Sequence, residues 1–276
     1  MPREPKTYIL PNGTSFFHLN KVETDIIYGE IFTGGCYDHE AIEYPDDGCY
    51  VDIGANIGMF AVYVASRCKR ATIHSFEPIP NTFEVLKHNA ERIEGHDVRA
   101  HNVGVSHEST TAIFSSVPRF AISSTMYPDH SPEEREHEKQ FVLKTFEQLK
   151  NPILRKSIAM LPRVCRGWLA TTVNKIYGKT VDVECQLRSL SDMIDEEHLE
   201  QIDLLKIDAE CAEVDILSGV RNEHWPRIHQ IAIEVHRGKG PLGAVLDILK
   251  RQGYQTAVDH NPTYDDYPMV FAYGRE

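Results

Sequence analysis

Val51-Asp52-Ile53-Gly54-Ala55-Asn56-Ile57-Gly58 is the stretch whose reading decides the fold. Tyr50 to Ile53 reads as a short buried strand, and Met59 to Cys68 has the length and apolar spacing of a helix. The two glycines between them let the chain turn sharply and admit a close approach. In open α/β sheets, ligands bind outside the carboxyl ends of strands, near the point where strand order reverses. The spacing here is G-x-x-x-G rather than the G-x-G-x-x-G that seats a diphosphate on a helix N-terminus. Asp52 precedes the first glycine, and a carboxylate there repels a diphosphate but favours a ligand carrying an ammonium group. The loop therefore points to S-adenosylmethionine rather than a nicotinamide dinucleotide. Asp52, Gly54, Asn56 and Gly58 become the cofactor-binding candidates.

Downstream the pattern alternates. Ala71 to Phe76 reads as a second strand, Asn81 to Arg92 as a second helix with Asn81 as its N-cap, and Val98 to Val105 as a third strand. Strand–helix–strand repetition at this spacing implies right-handed crossovers and a mostly parallel sheet. Glu77 ends the second strand, 19 residues after Gly58, where an acidic residue commonly accepts hydrogen bonds from ribose hydroxyls. Asn102, at the end of the third strand, is a candidate for the adenine edge, and a turn former is the alternative.

Residues 115–179 break the alternation and read as a helical insertion folding over the sheet as a lid. Val142, Phe146 and Leu149 share one helical face, and Leu154, Ile158, Leu161 and Cys165 form another stripe. Asn151-Pro152 looks like an N-cap followed by proline at the first helical position. Strand–helix order resumes with Thr180 to Leu187, then strand Ile202 to Ile207, helix Ala212 to Ser218, strand Ile228 to Val235 and helix Gly243 to Gln252. Tyr254 to Val258 and Met269 to Tyr273 can pair as an antiparallel edge hairpin. Upstream, residues 1–46 read as an N-terminal appendage, with a hairpin turn at Pro11-Asn12-Gly13 and a short helix from Asp25 to Phe32. The expectation is one α/β domain of 276 residues, Rossmann-like, with these two additions.

Composition narrows the partners. The formal net charge of −12 argues against a phosphate-backbone substrate, because cations supply most of that affinity. With 41% hydrophobic residues the chain can bury a core without disulfides. Its six cysteines include no C-x-x-C pair, so a zinc site is not expected. The opening Met1 to Lys6 is polar with no apolar run behind it, and no window approaches ~18 apolar residues. A cytoplasmic protein acting on a small molecule, without nucleic acid or membrane partners, is expected; a homodimer is compatible with all of this.

Four pieces of the sequence resemble the FkbM family of methyltransferases: Val51 to Gly58, Phe76-Glu77-Pro78, Leu205 to Glu213, and Ile231 to His236. Their order and spacing cover about residues 45 to 255. The resemblance implies a class I methyltransferase sheet, S-adenosylmethionine as donor, and small-molecule hydroxyls as the main acceptors. Two departures stand out: Cys211 occupies a position where the family usually has glycine, and the insertion is longer than typical.

Within those pieces lie the candidates for chemistry. Asp208 ends the fourth strand, with Glu210 two residues on; Asp208 can orient the acceptor, bind a metal or touch the donor's methionine moiety. Glu210 and Glu213 begin a helix, where the dipole alone accounts for acids. Glu234 and His236 fall on one side of the fifth strand by alternation, and histidine is the default general base near neutral pH. A divalent metal held by Asp208, Glu234 and His236 is an open alternative. Lys150, Arg155, Lys156, Arg163, Arg166, Lys175 and Lys179 lie between Glu147 and Asp182 with no acid among them. Either they dock the insertion onto the acidic body, or Arg163 and Arg166 hold an anionic acceptor. The expected function is S-adenosylmethionine-dependent O-methylation of a small hydroxyl or carboxyl compound, leaning to an anionic one. A non-catalytic nucleotide-binding or regulatory protein is the alternative.

Overall fold

The computed structural model describes residues 6–118, 121, 124–128, 131–147, 151–177, 180–236, 242–259 and 267–275. The appendage opens with the expected hairpin, β1 (Lys6–Ile9) against β2 (Ser15–His18). The short helix follows as α1 (Lys21–Tyr28), and one π-helical turn (Gly29–Thr33) continues it. Then come β3 (Gly48–Ile53), α2 (Met59–Arg67), β4 (Ala71–Phe76), α3 (Pro80–Ala90) and β5 (Asp97–His101). The N-cap of α3 is Ile79, with Pro80 at its first position, so Asn81 lies inside the helix rather than capping it.

The expected third strand is two strands. It breaks at Asn102-Val103: β5 stays in the main sheet, and β6 (Gly104–Ser106) leaves for a second one. There β6, β8 (Val181–Ser189) and β7 (Thr110–Ser116) lie in the order β6-β8-β7. Thr180 to Leu187 therefore does not rejoin the main alternation; it pairs antiparallel with β7 across the root of the insertion. The insertion itself holds α4 (Pro132–Glu147), α5 (Pro152–Ala159) and α6 (Arg163–Tyr177). Asn151 caps α5 as expected, accepting from the amides of Ile153 and Leu154. The proposed stripe of Leu154, Leu161 and Cys165 is exposed rather than buried, and Leu149 lies outside the described residues.

The chain completes with α7 (Leu190–Glu196), β9 (Leu204–Ile207), α8 (Glu213–Ser218), β10 (Ile231–Glu234), α9 (Leu242–Arg251), β11 (Gln255–Asp259) and β12 (Met269–Tyr273). The main sheet runs β5-β4-β3-β9-β10-β12-β11. The pairings from β5 across to β10 are parallel, and β12 is antiparallel to both of its neighbours. In class I methyltransferase terms this is the order 3-2-1-4-5-7-6, the Rossmann-like sheet expected from the alternation. Strand order reverses between β3 and β9, so the Gly54–Gly58 loop sits at the switch point.

Alternation along the strands builds two cores. Val51, Ile53, Leu205, Ile207, Ile231 and Ile233 face α7, α8 and α9. Tyr50, Leu204 and Ala232 face the other way, towards α2 and the appendage, whose Leu10, Phe16, Ile31, Tyr37 and Ile42 join that second core. Burial of those appendage side chains ties residues 6–46 to the sheet.

Candidate functional site

Three carboxyl-end turns meet at the switch point. Gly54 and Gly58 both have positive φ, +73° and +92°. Each also packs against a neighbouring element. A Cβ on Gly54 would lie 1.8 Å from the carbonyl oxygen of Asp208, so the loops after β3 and β9 touch backbone to backbone there. A Cβ on Gly58 would meet Leu86 of α3 at 2.9 Å. Asn56 also sits in the left-handed region, with its side chain accepting from the Ile57 amide at 2.7 Å.

Asp52 and Lys206 are register partners on adjacent parallel strands, so both point to the same face. They form an ion pair of 3.0 Å with Asp52 fully buried. Lys206 Nζ also donates to the carbonyls of Ile53 and Gly54, at 3.2 and 2.8 Å, and lies 3.6 Å from Asp208. Burial alone would lower the Lys206 pKa; the facing carboxylates outweigh it and hold the ammonium charged. Asp52 is thus spent on a lysine of its own chain. The pair lies beneath the turn and braces it from below.

Glu77 is nearly buried at the end of β4. One carboxylate oxygen accepts from the Asn56 amide at 3.1 Å and the other from the Ile79 amide at 2.9 Å, joining the two loops. Burial pushes its carboxyl up to about 8. Each oxygen keeps a further acceptor site. The Asn102 amide nitrogen is committed elsewhere, donating to the Glu77 and Pro78 carbonyls at 2.9 and 3.1 Å. It shapes the turn, and only its carbonyl oxygen remains to face a base.

Across the switch point lies an acidic group built around one histidine. His236 Nδ1 is 2.8 Å from Glu213 Oε1, and Glu213 is fully buried. The opposite nitrogen, Nε2, faces Asp208 at 3.7 Å, Glu210 at 3.8 Å and Glu234 at 3.9 Å. Burial works against the imidazolium, but Glu210, Glu213 and Glu234 together raise His236 well above its ordinary value. Burial and repulsion from neighbouring carboxylates push Glu210 and Glu234 up to about 8. Glu30, Cys36 and Tyr37 of the appendage lie within electrostatic reach of this group. Asp208, Glu234 and His236 converge as the sequence suggested. Glu213 was read there as a helix-end charge, because nothing in its spacing announces that it meets a histidine 23 residues away.

The glycine that the resemblance leads one to expect at position 211 would suit the backbone there. Glu210 and Cys211 hold φ of +48° and +77°, a conformation that costs a side-chain-bearing residue about 1–2 kcal/mol. Cys211→Gly removes that strain and adds chain entropy to the unfolded state. The expected net effect is a gain of about 0.5–1 kcal/mol, read by urea denaturation; a loss of stability would show that the thiol's packing outweighs the strain.

Among the described residues, the ligand atoms close enough to share a metal are those of His74, His101 and Glu197, not those around His236. In that trio the two imidazoles already meet nitrogen to nitrogen at 3.3 Å, and Arg99 stands 3.7 Å from the Glu197 carboxylate. It reads as an internal polar network. Arg166 is partly buried on α6, its Nε without a hydrogen-bond partner; the Arg163 side chain lies outside the described residues.

A family model, the methyltransferase FkbM domain, matches residues 52–256, from the buried Asp52 to the start of the edge hairpin. The chain belongs to the FkbM methyltransferase family. It is 31% identical over 265 residues to the 31-O-demethyl-FK506 methyltransferase FkbM of Streptomyces tacrolimicus, covering 94% of this chain and 92% of that one. It is 30% identical over 270 residues to methyltransferase sdnD of Sordaria araneosa, with 94% and 93% covered. Among solved structures, magnesium protoporphyrin IX methyltransferase from Synechocystis aligns with a TM-score of 0.43 at 8% identity, covering 92% of this chain and 81% of that one.

Proposed function

We propose that this FkbM-family chain is an S-adenosylmethionine-dependent methyltransferase acting on a hydroxyl oxygen of a small molecule. The observation that carries the reading is His236, tied through Nδ1 to Glu213 with Nε2 turned towards Asp208, Glu210 and Glu234. A hydroxyl must lose a proton to attack a methyl group, whereas a carboxylate is already ionised near neutral pH. An oriented base is superfluous for a carboxylate acceptor, and three acids around it repel one. A remote anionic group on the acceptor remains compatible with Arg163 and Arg166.

The donor fits the switch point. Glu77 accepts from vicinal ribose hydroxyls, and the Gly54–Gly58 turn, with Asn56, lines the donor beside it. The donor supplies the electrophilic sulfonium methyl; the chain's part is to align the acceptor and remove its proton. Alignment of this kind can lower a barrier by ~7–11 kcal/mol. Asp208 and Glu234 accept from the acceptor's hydroxyls and fix its approach. His236 moves towards its neutral, basic form once a positive charge enters beside it. A relative whose printed name describes 31-O-demethyl-FK506 methylation supports oxygen as the acceptor atom.

The test is release of S-adenosylhomocysteine with a panel of hydroxyl compounds across pH. Because His236 binds its proton tightly, kcat/KM should climb about tenfold per pH unit through the neutral range before levelling. Glu213→Gln removes one of the charges that hold the proton, so the rising limb should move to lower pH while the plateau drops. A limb that stays in place in Glu213→Gln contradicts the assignment of His236 as the base.

A further inference from the structure

We propose that the α5–α6 hairpin is a docking surface for an anionic lipid bilayer, on which the protein lies without crossing it. The observation is an inverted helix. On α6, Ala170 is fully buried, and a Cβ on Gly167 would meet Lys139 of α4 at 3.4 Å. The small residues thus face the neighbouring helix. The large apolar residues face outward: Val164 is 84% exposed and Trp168, one helical turn on, 70%. Ile153 on α5 is 77% exposed and Met160, at the bend between the helices, 85%. Leu154 and Leu161 complete the group. A helix selected for packing within one chain shows the reverse arrangement.

Charge selects the occupant. All 41 Asp and Glu residues of the chain lie outside the stretch between Glu147 and Asp182, which carries seven Lys and Arg. Arg155 and Lys156 are exposed on α5 beside the apolar residues. Exposed apolar side chains flanked by cations, with a tryptophan among them, are what an interfacial helix presents to acidic headgroups. Each cation near such a surface strengthens the attraction. A second copy of the chain is a poorer match. Elsewhere, the exposed large hydrophobics among the described residues are Ile9, Val22, Ile113, Val181 and Val258, scattered through the sequence, and two hairpins face to face would oppose like charges.

The fifteen residues of α6 reach ~22 Å, short of a ~30 Å hydrocarbon core. No helix among the described residues is long and apolar enough to cross a membrane. The sequence-level expectation of no membrane partner rested on spanning alone. Lying on a surface needs only a short amphipathic face. The segment leading into the hairpin is pinned beside the acidic group: Thr125 Oγ1 donates to the Glu210 carbonyl at 2.7 Å, and Tyr127 hydrogen-bonds Asp215.

The experiment uses the full chain with phosphatidylcholine vesicles and with vesicles containing one quarter phosphatidylglycerol. Flotation should recover at least tenfold more protein with the anionic vesicles, and 0.5 M salt should reverse most of it. Of the chain's two tryptophans, Trp225 is buried and Trp168 exposed, so a blue shift in emission reports Trp168 entering the interface. The triple variant M160S/V164S/W168S should keep its far-UV circular dichroism and donor affinity but lose flotation. Equal recovery on both vesicle types, or a triple variant that floats like the parent, overturns the proposal. So does a dimer in sedimentation equilibrium that the triple variant dissolves, which would make the face a subunit interface.

Discussion

His236→Gln is expected to lower kcat by about 10²–10⁴-fold, the range general-base catalysis supplies. Glutamine keeps a donor and an acceptor of similar reach but cannot take up a proton near neutral pH. The contact to Glu213 can be retained, so the local fold should survive. Donor affinity, measured by calorimetry, should stay within about twofold, because the Glu77 and Gly54–Gly58 elements are untouched. The rising pH limb of kcat/KM should vanish with the histidine. A variant whose donor affinity falls as far as its kcat would instead mark His236 as a packing element. One that turns over at the parent rate would leave the acceptor's proton to another group, with Asp208 and Glu210 the nearest to Nε2.

Lys206→Met carries the largest expected effect on stability. It strips the cation from a carboxylate that no water reaches, and breaking such a pair from one side typically costs about 3–5 kcal/mol. Asp52→Asn should cost less, since Lys206 retains two carbonyls and the nearby Asp208. The double variant should recover part of the Lys206→Met loss, because no unpaired charge remains buried. Urea denaturation of the four proteins measures the coupling. A cost for Lys206→Met below about 1 kcal/mol would show that water or a rearranged loop already solvates Asp52. The same series tests the turn: a collapsed Gly54 loop should weaken donor binding in step with stability.

These two expectations draw on different levels of the molecule. The sheet was legible from sequence because its signals are local. Alternating apolar strands, helical spacing and the glycine turn each depend on a few neighbouring residues, and handedness rules then order them. The second sheet was missed because β6 is only three residues long and β8 reads locally as one more strand of the alternation; only pairing shows that the third strand breaks at Asn102. Glu77, Asp208, Glu234 and His236 stand out as candidates in the sequence because strand ends at a switch point are where ligands bind.

Other features depend on what lies across a gap the chain does not encode locally. That Asp52 faces Lys206 follows from the register of two strands 154 residues apart in sequence, counted from position 52 to 206. That Glu213 aims a histidine, and not merely a helix end, follows from α8 packing beside the end of β10. The positive φ of Cys211 gives glycine a physical reason at that position, which the sequence does not show; nothing in the structure explains the cysteine itself. The outward turn of Val164 and Trp168 could not be separated by periodicity from an inward one, because helical spacing defines a face but not the direction in which it points. Sequence alone determined which elements form and in what order, since local sterics and apolar spacing act over a few residues. Tertiary structure alone decided which charges meet and which faces stay open, since those depend on contacts between segments far apart in the chain.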